Sequence, residues 1–231
     1  MSRNDNNEII NDIEDYVKQD IKKNDSSHDW HHILRVKNLS YTIAKNEINS
    51  GKNINLFIVV AIALLHETID SKYCQNIQDK IKEIRTFLSL KQIKNEAIDL
   101  IINGINNISY RKEIGKLSKE QEINLEIAIV QDADKLDAMG AIGISRCLAY
   151  SGAKSRPFYD PDIPPKINMT QEEYITQSKA NQGTAINHFY EKLFKLKDMM
   201  KTDYGKKMAI ERDQYMREFV DRFIKEYNGL I

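Results

Sequence analysis

This sequence predicts an all-α fold, a helical bundle in one domain over residues 1–231. Three observations carry that prediction. Apolar residues recur at helical spacing in window after window. Only 9 Gly and 4 Pro interrupt 231 residues, which leaves room for long helices. No stretch alternates apolar and polar residues in the manner of a half-buried strand.

Residues 8–22 place Ile9, Ile10, Ile13, Tyr16, Val17 and Ile21 on one face of an amphipathic first helix. Asn24-Asp-Ser-Ser27 ends it, and Asp29, three residues before His32, suits the N-cap of a second helix buried through Val36, Leu39, Ile43 and Ala44. After a polar loop around Gly51, the run from Asn55 to Leu65 is apolar on every side, as expected of a helix in the middle of a bundle. Helical patterns follow at about 77–88 and 91–105, then a loop from 106 to 117. Ser118-Lys-Glu-Gln121 resembles a capping start for one long helix reaching about Tyr150. Residues 151–170 hold all four prolines without helical rhythm, as a functional loop, a lid or a connector. Two long helical patterns, about 171–200 and 204–227, close the chain.

Composition excludes several classes of function. Formal charge is zero, so no overall field recruits nucleic acid or an acidic membrane. The longest apolar run falls short of the roughly 20 residues that span a bilayer. Two cysteines are too few for a disulfide framework, and the polar N-terminus is unlike a signal peptide, so the expected compartment is the cytoplasm.

Chemistry concentrates in three segments: His28-Asp-Trp-His-His32 with Arg35, Leu64-Leu-His-Glu-Thr-Ile-Asp70, and Gln131-Asp-Ala-Asp-Lys-Leu-Asp137. The apolar helix runs directly into His66 and Glu67, and polar groups on such a helix are expensive unless something satisfies them. His32, His66, Glu67 and Asp134 together offer two imidazoles and two carboxylates, the ligand types that divalent ions favour for phosphoryl chemistry. Asp70, one turn beyond Glu67, suits a carboxylate that orients or deprotonates attacking water. The residues alone also fit blander readings: a core or capping histidine at His66, a surface cluster at His28, His31 and His32, and a solvated acidic face at Asp132, Asp134 and Asp137.

The pattern resembles the HD-domain superfamily of metal-dependent phosphohydrolases, whose signature is a His, a His-Asp pair and a distant Asp. It is similar in particular to the bacterial-type members with a His-Asp-Trp-x-His-x-x-Arg-Val opening, which stands here as His28 to Val36. Leu64-Leu-His66, Gln131 to Ala138, Gly140 to Arg146, Ile186 to Lys192 and Thr202 to Ala209 extend the likeness over nearly the whole chain. The resemblance implies an all-helical, cytosolic phosphohydrolase with the metal-site core at about 24–150, a loop at 151–170 and C-terminal helices at 171–231. It implies His32, His66, Glu67 and Asp134 as ligands of one divalent ion (Mn, Ni, Co, Fe or Mg), and Asp70 as the acid that positions water. Glu67 departs from the signature Asp by one methylene, in a kind of site where ligand distances hold to about 0.2 Å.

Arg35, Lys72, Lys135, His188 and Lys192 are the candidates for binding substrate phosphate, as cations on the rim of the site. Arg156, Tyr159 and Asp160, in the proline-containing loop, are candidates for closing over it. The expected partner is a phosphorylated small molecule, a nucleotide first, with no nucleic acid and no membrane. Hydrolysis of a nucleoside triphosphate to monophosphate and pyrophosphate leads, followed by phosphomonoester and alarmone hydrolysis. The alternative is a degenerate HD-domain protein that binds nucleotide or metal without turnover. Oligomeric state has no signature in the sequence.

Overall fold

Helix is the regular structure of the described residues, and no strand occurs among them. These are residues 3–21, 29–70, 74, 76–108, 124–170, 172–173, 176 and 183–231 of a computed structural model. In order they form α1 (Arg3–Asp20), α2 (Trp30–Asn49), α3 (Leu56–Leu65), α4 (Ile77–Leu90), α5 (Asn95–Asn107), α6 (Leu125–Asp137), α7 (Gly140–Ala153), α8 (Ala185–Glu191), a 3-10 helix (Leu193–Met199) and α9 (Asp203–Tyr227). Contacts divide the chain into Met1–Ser109 with Glu120–Ala133, and Tyr110–Lys119 with Asp134–Ile231.

The first unit is built around α3. Its sequence is rich in Ile and Val, which are mediocre helix formers, so burial rather than propensity holds it helical. The Asn55 carboxamide caps it by accepting from the amides of Phe57 and Ile58 at 3.1 and 3.4 Å. Helices α1, α2 and α5 pack against it, and Ile58 through Leu65 are buried except Val60. Gly104 lets α5 come close: a Cβ there would lie 2.6 Å from Ile62 Cδ1. Helix α4 joins α1 through a Tyr16–Phe87 stack, with centroids 4.7 Å apart, and a Lys80–Asp20 ion pair at 2.6 Å. Gln131 Nε2 donates to the Asn107 carbonyl at 2.7 Å, fastening α6 to the end of α5.

In the second unit α9 packs on α7 and on the 3-10 helix. Phe189 is fully buried at its centre, 5.9 and 6.0 Å from the rings of Phe194 and Phe219. The proline-rich segment is strapped to α8 by hydrogen bonds. Ala185 N and Ile186 N, first-turn donors with no partner inside their helix, donate to the carbonyls of Pro157 and Phe158 at 3.0 and 2.9 Å. Asn187 Nδ2 donates to Ile163 O at 2.8 Å, and Lys166 N to Glu191 Oε1 at 3.1 Å.

Two expected helices are broken. The pattern toward Tyr150 is interrupted after Asp137, where Met139 is extended and Gly140 takes φ +65°, and α7 starts as a separate helix. The pattern toward Met200 restarts at Thr184, whose hydroxyl accepts from Asn187 N at 3.1 Å, after Gly183 at φ +89°. It also tightens to 3-10 geometry after Lys192. The capping start at Ser118 lies outside the described residues, as does the loop from 109 onward.

Candidate metal centre

Local structure brings the imidazoles together. Asp29 caps α2 by accepting from His32 N at 2.9 Å, which fixes His32 in the first turn. Helix α3 ends on His66 as its C-cap. The chain then makes tight turns in which Thr68 N and Oγ1 both donate to Leu65 O, at 3.1 and 2.6 Å. Those turns hold His66 and Glu67 against the end of the core.

His66 Nδ1 lies 2.7 Å from Ala63 O. A carbonyl only accepts, so Nδ1 carries the proton and Nε2 presents its lone pair. That Nε2 is 3.3 Å from His32 Nε2, with the rings edge to face. Glu67 Oε1 lies 3.3 Å from His32 Nε2 and 3.4 Å from His66 Nε2. The three residues are 1, 7 and 8% exposed.

Asp134 completes a group with the histidines: one ligand atom from each of His32, His66 and Asp134 lies within 4.8 Å of the others. The division between the units falls between Ala133 and Asp134, inside the continuous helix α6, so Asp134 is carried by the same helix as Val130 and Gln131. Glu67 reaches both imidazoles without belonging to that group of three.

The donor set fits a divalent ion. Nitrogens that ligate one ion at about 2.1 Å stand roughly 3.0–3.4 Å apart for right-angled to tetrahedral arrangements, and the imidazoles here are 3.3 Å apart. A buried lone pair facing another nitrogen and a carboxylate oxygen favours a cation between them.

A family model described as HD domain matches residues 29–139. Bacillus subtilis YpgQ, an uncharacterized protein, is 34% identical over 218 residues, covering 94% of this chain and 93% of that one. The crystal structure of an HD-superfamily hydrolase from Bacillus thuringiensis superposes with a TM-score of 0.74 at 35% identity, covering 96% of this chain and 98% of that one. The chain belongs to the HD-domain superfamily. A crystal structure of Bacillus subtilis YpgQ in complex with ADP is also similar, with a TM-score of 0.71 at 31% identity over 96% of this chain and all of that one.

In this HD-domain chain the other expected site residues fall on several elements. Asp70 follows Glu67 by one turn, with Asp70 N donating to Glu67 O at 3.2 Å, and is partly exposed. Arg35 is partly buried on α2, one turn after His32. Lys72 and His28 lie outside the described residues. Lys135, beside Asp134 on α6, is only 2% exposed.

His188 and Lys192 sit on and just beyond α8, in electrostatic reach of Arg156. Burial, reinforced by the charges of Lys192 and Arg156, pushes the His188 imidazole down to about 3, so at neutral pH it is an uncharged ring. As a neutral ring His188 can still hydrogen-bond a phosphate, while Lys192 carries the charge. Cys147 shares these neighbours: burial raises its thiol to about 12 against the opposing pull of Arg156 and Lys192.

The sequence reading missed Arg146 and Arg212, both anchored to the last turn of α6. Arg146 Nη1 lies 2.7 Å from Asp137 Oδ2, and Arg212 Nη1 donates to Leu136 O. Arg146 is nine residues from its partner, but no motif links Arg212 to a backbone carbonyl 76 residues away.

Proposed function

We propose that this HD-domain hydrolase is a metal-dependent nucleotide phosphohydrolase. His32, His66, Glu67 and Asp134 hold one divalent ion, Asp70 handles the attacking water, and Arg35, Lys72, Lys135, His188 and Lys192 contact substrate. The observation that carries the reading is the buried meeting of His32, His66 and Asp134 ligand atoms within 4.8 Å, with Glu67 Oε1 beside both imidazoles. When bound, the ion supplies Lewis acidity toward a phosphoryl oxygen and acidifies water.

The chain's own residues do the rest. The Ala63 carbonyl keeps the His66 proton on Nδ1, so the face turned to the site stays a pure electron-pair donor. Asp70, partly exposed one turn past Glu67, accepts a proton from water as its oxygen attacks phosphorus. In the preferred reaction the α-phosphorus gains that oxygen. The bond from phosphorus to the bridging oxygen breaks, and pyrophosphate leaves with the electron pair. Lys192 and Arg156 flank the uncharged His188, so they supply positive charge for the phosphates while His188 offers hydrogen bonding alone.

The ADP bound to YpgQ supports nucleotides as the substrate class. No helix among the described residues is long and apolar enough to cross a membrane, and both cysteines are free thiols, which supports the cytoplasm as the compartment. The test is turnover of a nucleoside tri-, di- and monophosphate panel with Mn, Co, Ni, Fe or Mg, products separated by anion exchange. Metal-dependent release of monophosphate and pyrophosphate is expected. A folded protein inert with every ion and nucleotide refutes the reading.

A further inference from the structure

The last turn of α6 is gripped by two guanidinium groups. Four terminal carbonyls of any helix lack partners inside it, and that end carries partial negative charge, so a cation there is favoured. Arg212, on α9, donates from Nη1 to Leu136 O, which also accepts from Met139 N at 3.0 Å. Arg146, on α7, holds the neighbouring Asp137 carboxylate, itself 1% exposed.

The approach of Arg212 depends on the turn that follows. Gly140 sits at φ +65°, and a Cβ there would lie 3.1 Å from Arg212 Cγ and 3.3 Å from its Cβ. The bare glycine makes room for the arginine stem. Gly143 is packed tightly too, since a Cβ would fall 2.2 Å from Ala138 O. Between Asp134 and α7 the chain therefore has little freedom, and the arginine stem packs where a side chain at residue 140 would stand. Burial opposes the Arg212 charge, and the nearby Asp137 partly offsets that.

We propose that Arg212 is a positioning residue for the metal centre: by fixing the Leu136 carbonyl it sets the last turn of α6, and with it the direction of the Asp134 carboxylate. Arg212 contacts neither substrate nor ion. This inference rests on the metal reading of Asp134. Partners hydrogen-bonded directly to a ligand typically change metal affinity by about 10–100-fold, and Arg212, acting through the Leu136 carbonyl, is expected at the lower end of that range.

The experiment is a Mn2+ titration by calorimetry of the full chain and of Arg212→Met, Arg212→Gln and Arg212→Lys, with apo melting temperatures measured alongside. Arg212→Met is expected to weaken Mn2+ by about tenfold or more. Arg212→Lys, which keeps a cationic donor, is expected to recover most of that affinity even where its melting temperature matches that of Arg212→Gln. If Arg212→Met does not fold, Gln and Lys carry the same comparison. Wild-type affinity in every variant overturns the inference, as does a loss that follows melting temperature with no recovery by Lys. Absence of Mn2+ binding by the wild-type chain overturns the metal reading itself, and this inference with it.

Discussion

The Nε2 atoms of His32 and His66 stand 3.3 Å apart in a buried edge-to-face pair. The two residues are 34 positions apart and come from the start of one helix and the end of another. The Asp29 cap and the Ala63 carbonyl hold them in place, and neither support depends on an ion. The pair is therefore held in place by the protein alone.

Removing one imidazole should remove metal binding while sparing the fold. His66→Ala is expected to weaken Mn2+ on the order of 100-fold or more, exceeding the effect of an outer partner. Calorimetry with Mn2+ checks it, and circular dichroism confirms the helices. Unchanged affinity would take His66 out of the site.

Glu67 is the departure from the family signature, and its geometry gives a direction. Its Oε1 already reaches both imidazoles at 3.3 and 3.4 Å. Glu67→Asp shortens the side chain by one carbon–carbon bond, about 1.5 Å, far more than the roughly 0.2 Å that ligand distances tolerate. The signature aspartate is thus expected to lower Mn2+ affinity in this chain, by about tenfold. A gain in affinity and turnover would show that the surroundings are built for Asp and that Glu67 is a lesion.

The close approach of α5 to α3 gives a stability prediction. Gly104→Ala brings a methyl against Ile62 Cδ1, at 2.6 Å before relaxation, and overpacking of this kind destabilises by about 1–3 kcal/mol. Urea midpoints measure it. Ile62→Val in the same chain removes Cδ1 and should recover part of the loss. If the double variant is no better than Gly104→Ala, Ile62 Cδ1 is not the atom that opposes the methyl.

His188 makes stability depend on pH. Its pKa falls from an ordinary 6.5 to about 3 on folding, so below pH 6.5 the unfolded chain binds a proton that the folded one refuses. The stabilising difference is fully present above pH 6.5 and is lost as pH falls toward 3. Between pH 7 and pH 5 this amounts to at most about 2 kcal/mol. Urea midpoints at the two pH values should show a steeper loss for the wild type than for His188→Leu. Parallel losses would remove His188 as the source.

Much of the first unit was legible in the sequence, because its signals are local. The apolar run of α3, its Asn55 cap and the polar end at His66 lie within a dozen residues of one another. The breaks at Gly140 and Gly183 were not. A glycine inside a helical pattern is tolerated as often as it stops a helix, and only a positive φ reveals which happened. The strap of residues 157–166 to α8 is made through backbone groups, the Asn187 carboxamide and one carboxylate, groups without a sequence pattern. The burial of Asp132, Lys135 and Asp137 on α6 likewise has no local signal, because charged residues in a helical pattern ordinarily face solvent.

Anomalous diffraction at the manganese edge, from crystals of the full chain grown with Mn2+, tests the metal centre most directly. One peak is expected, about 2 Å from His32 Nε2, His66 Nε2 and an Asp134 carboxylate oxygen. A peak bound by other residues, or no peak in crystals equilibrated with millimolar Mn2+, would contradict it.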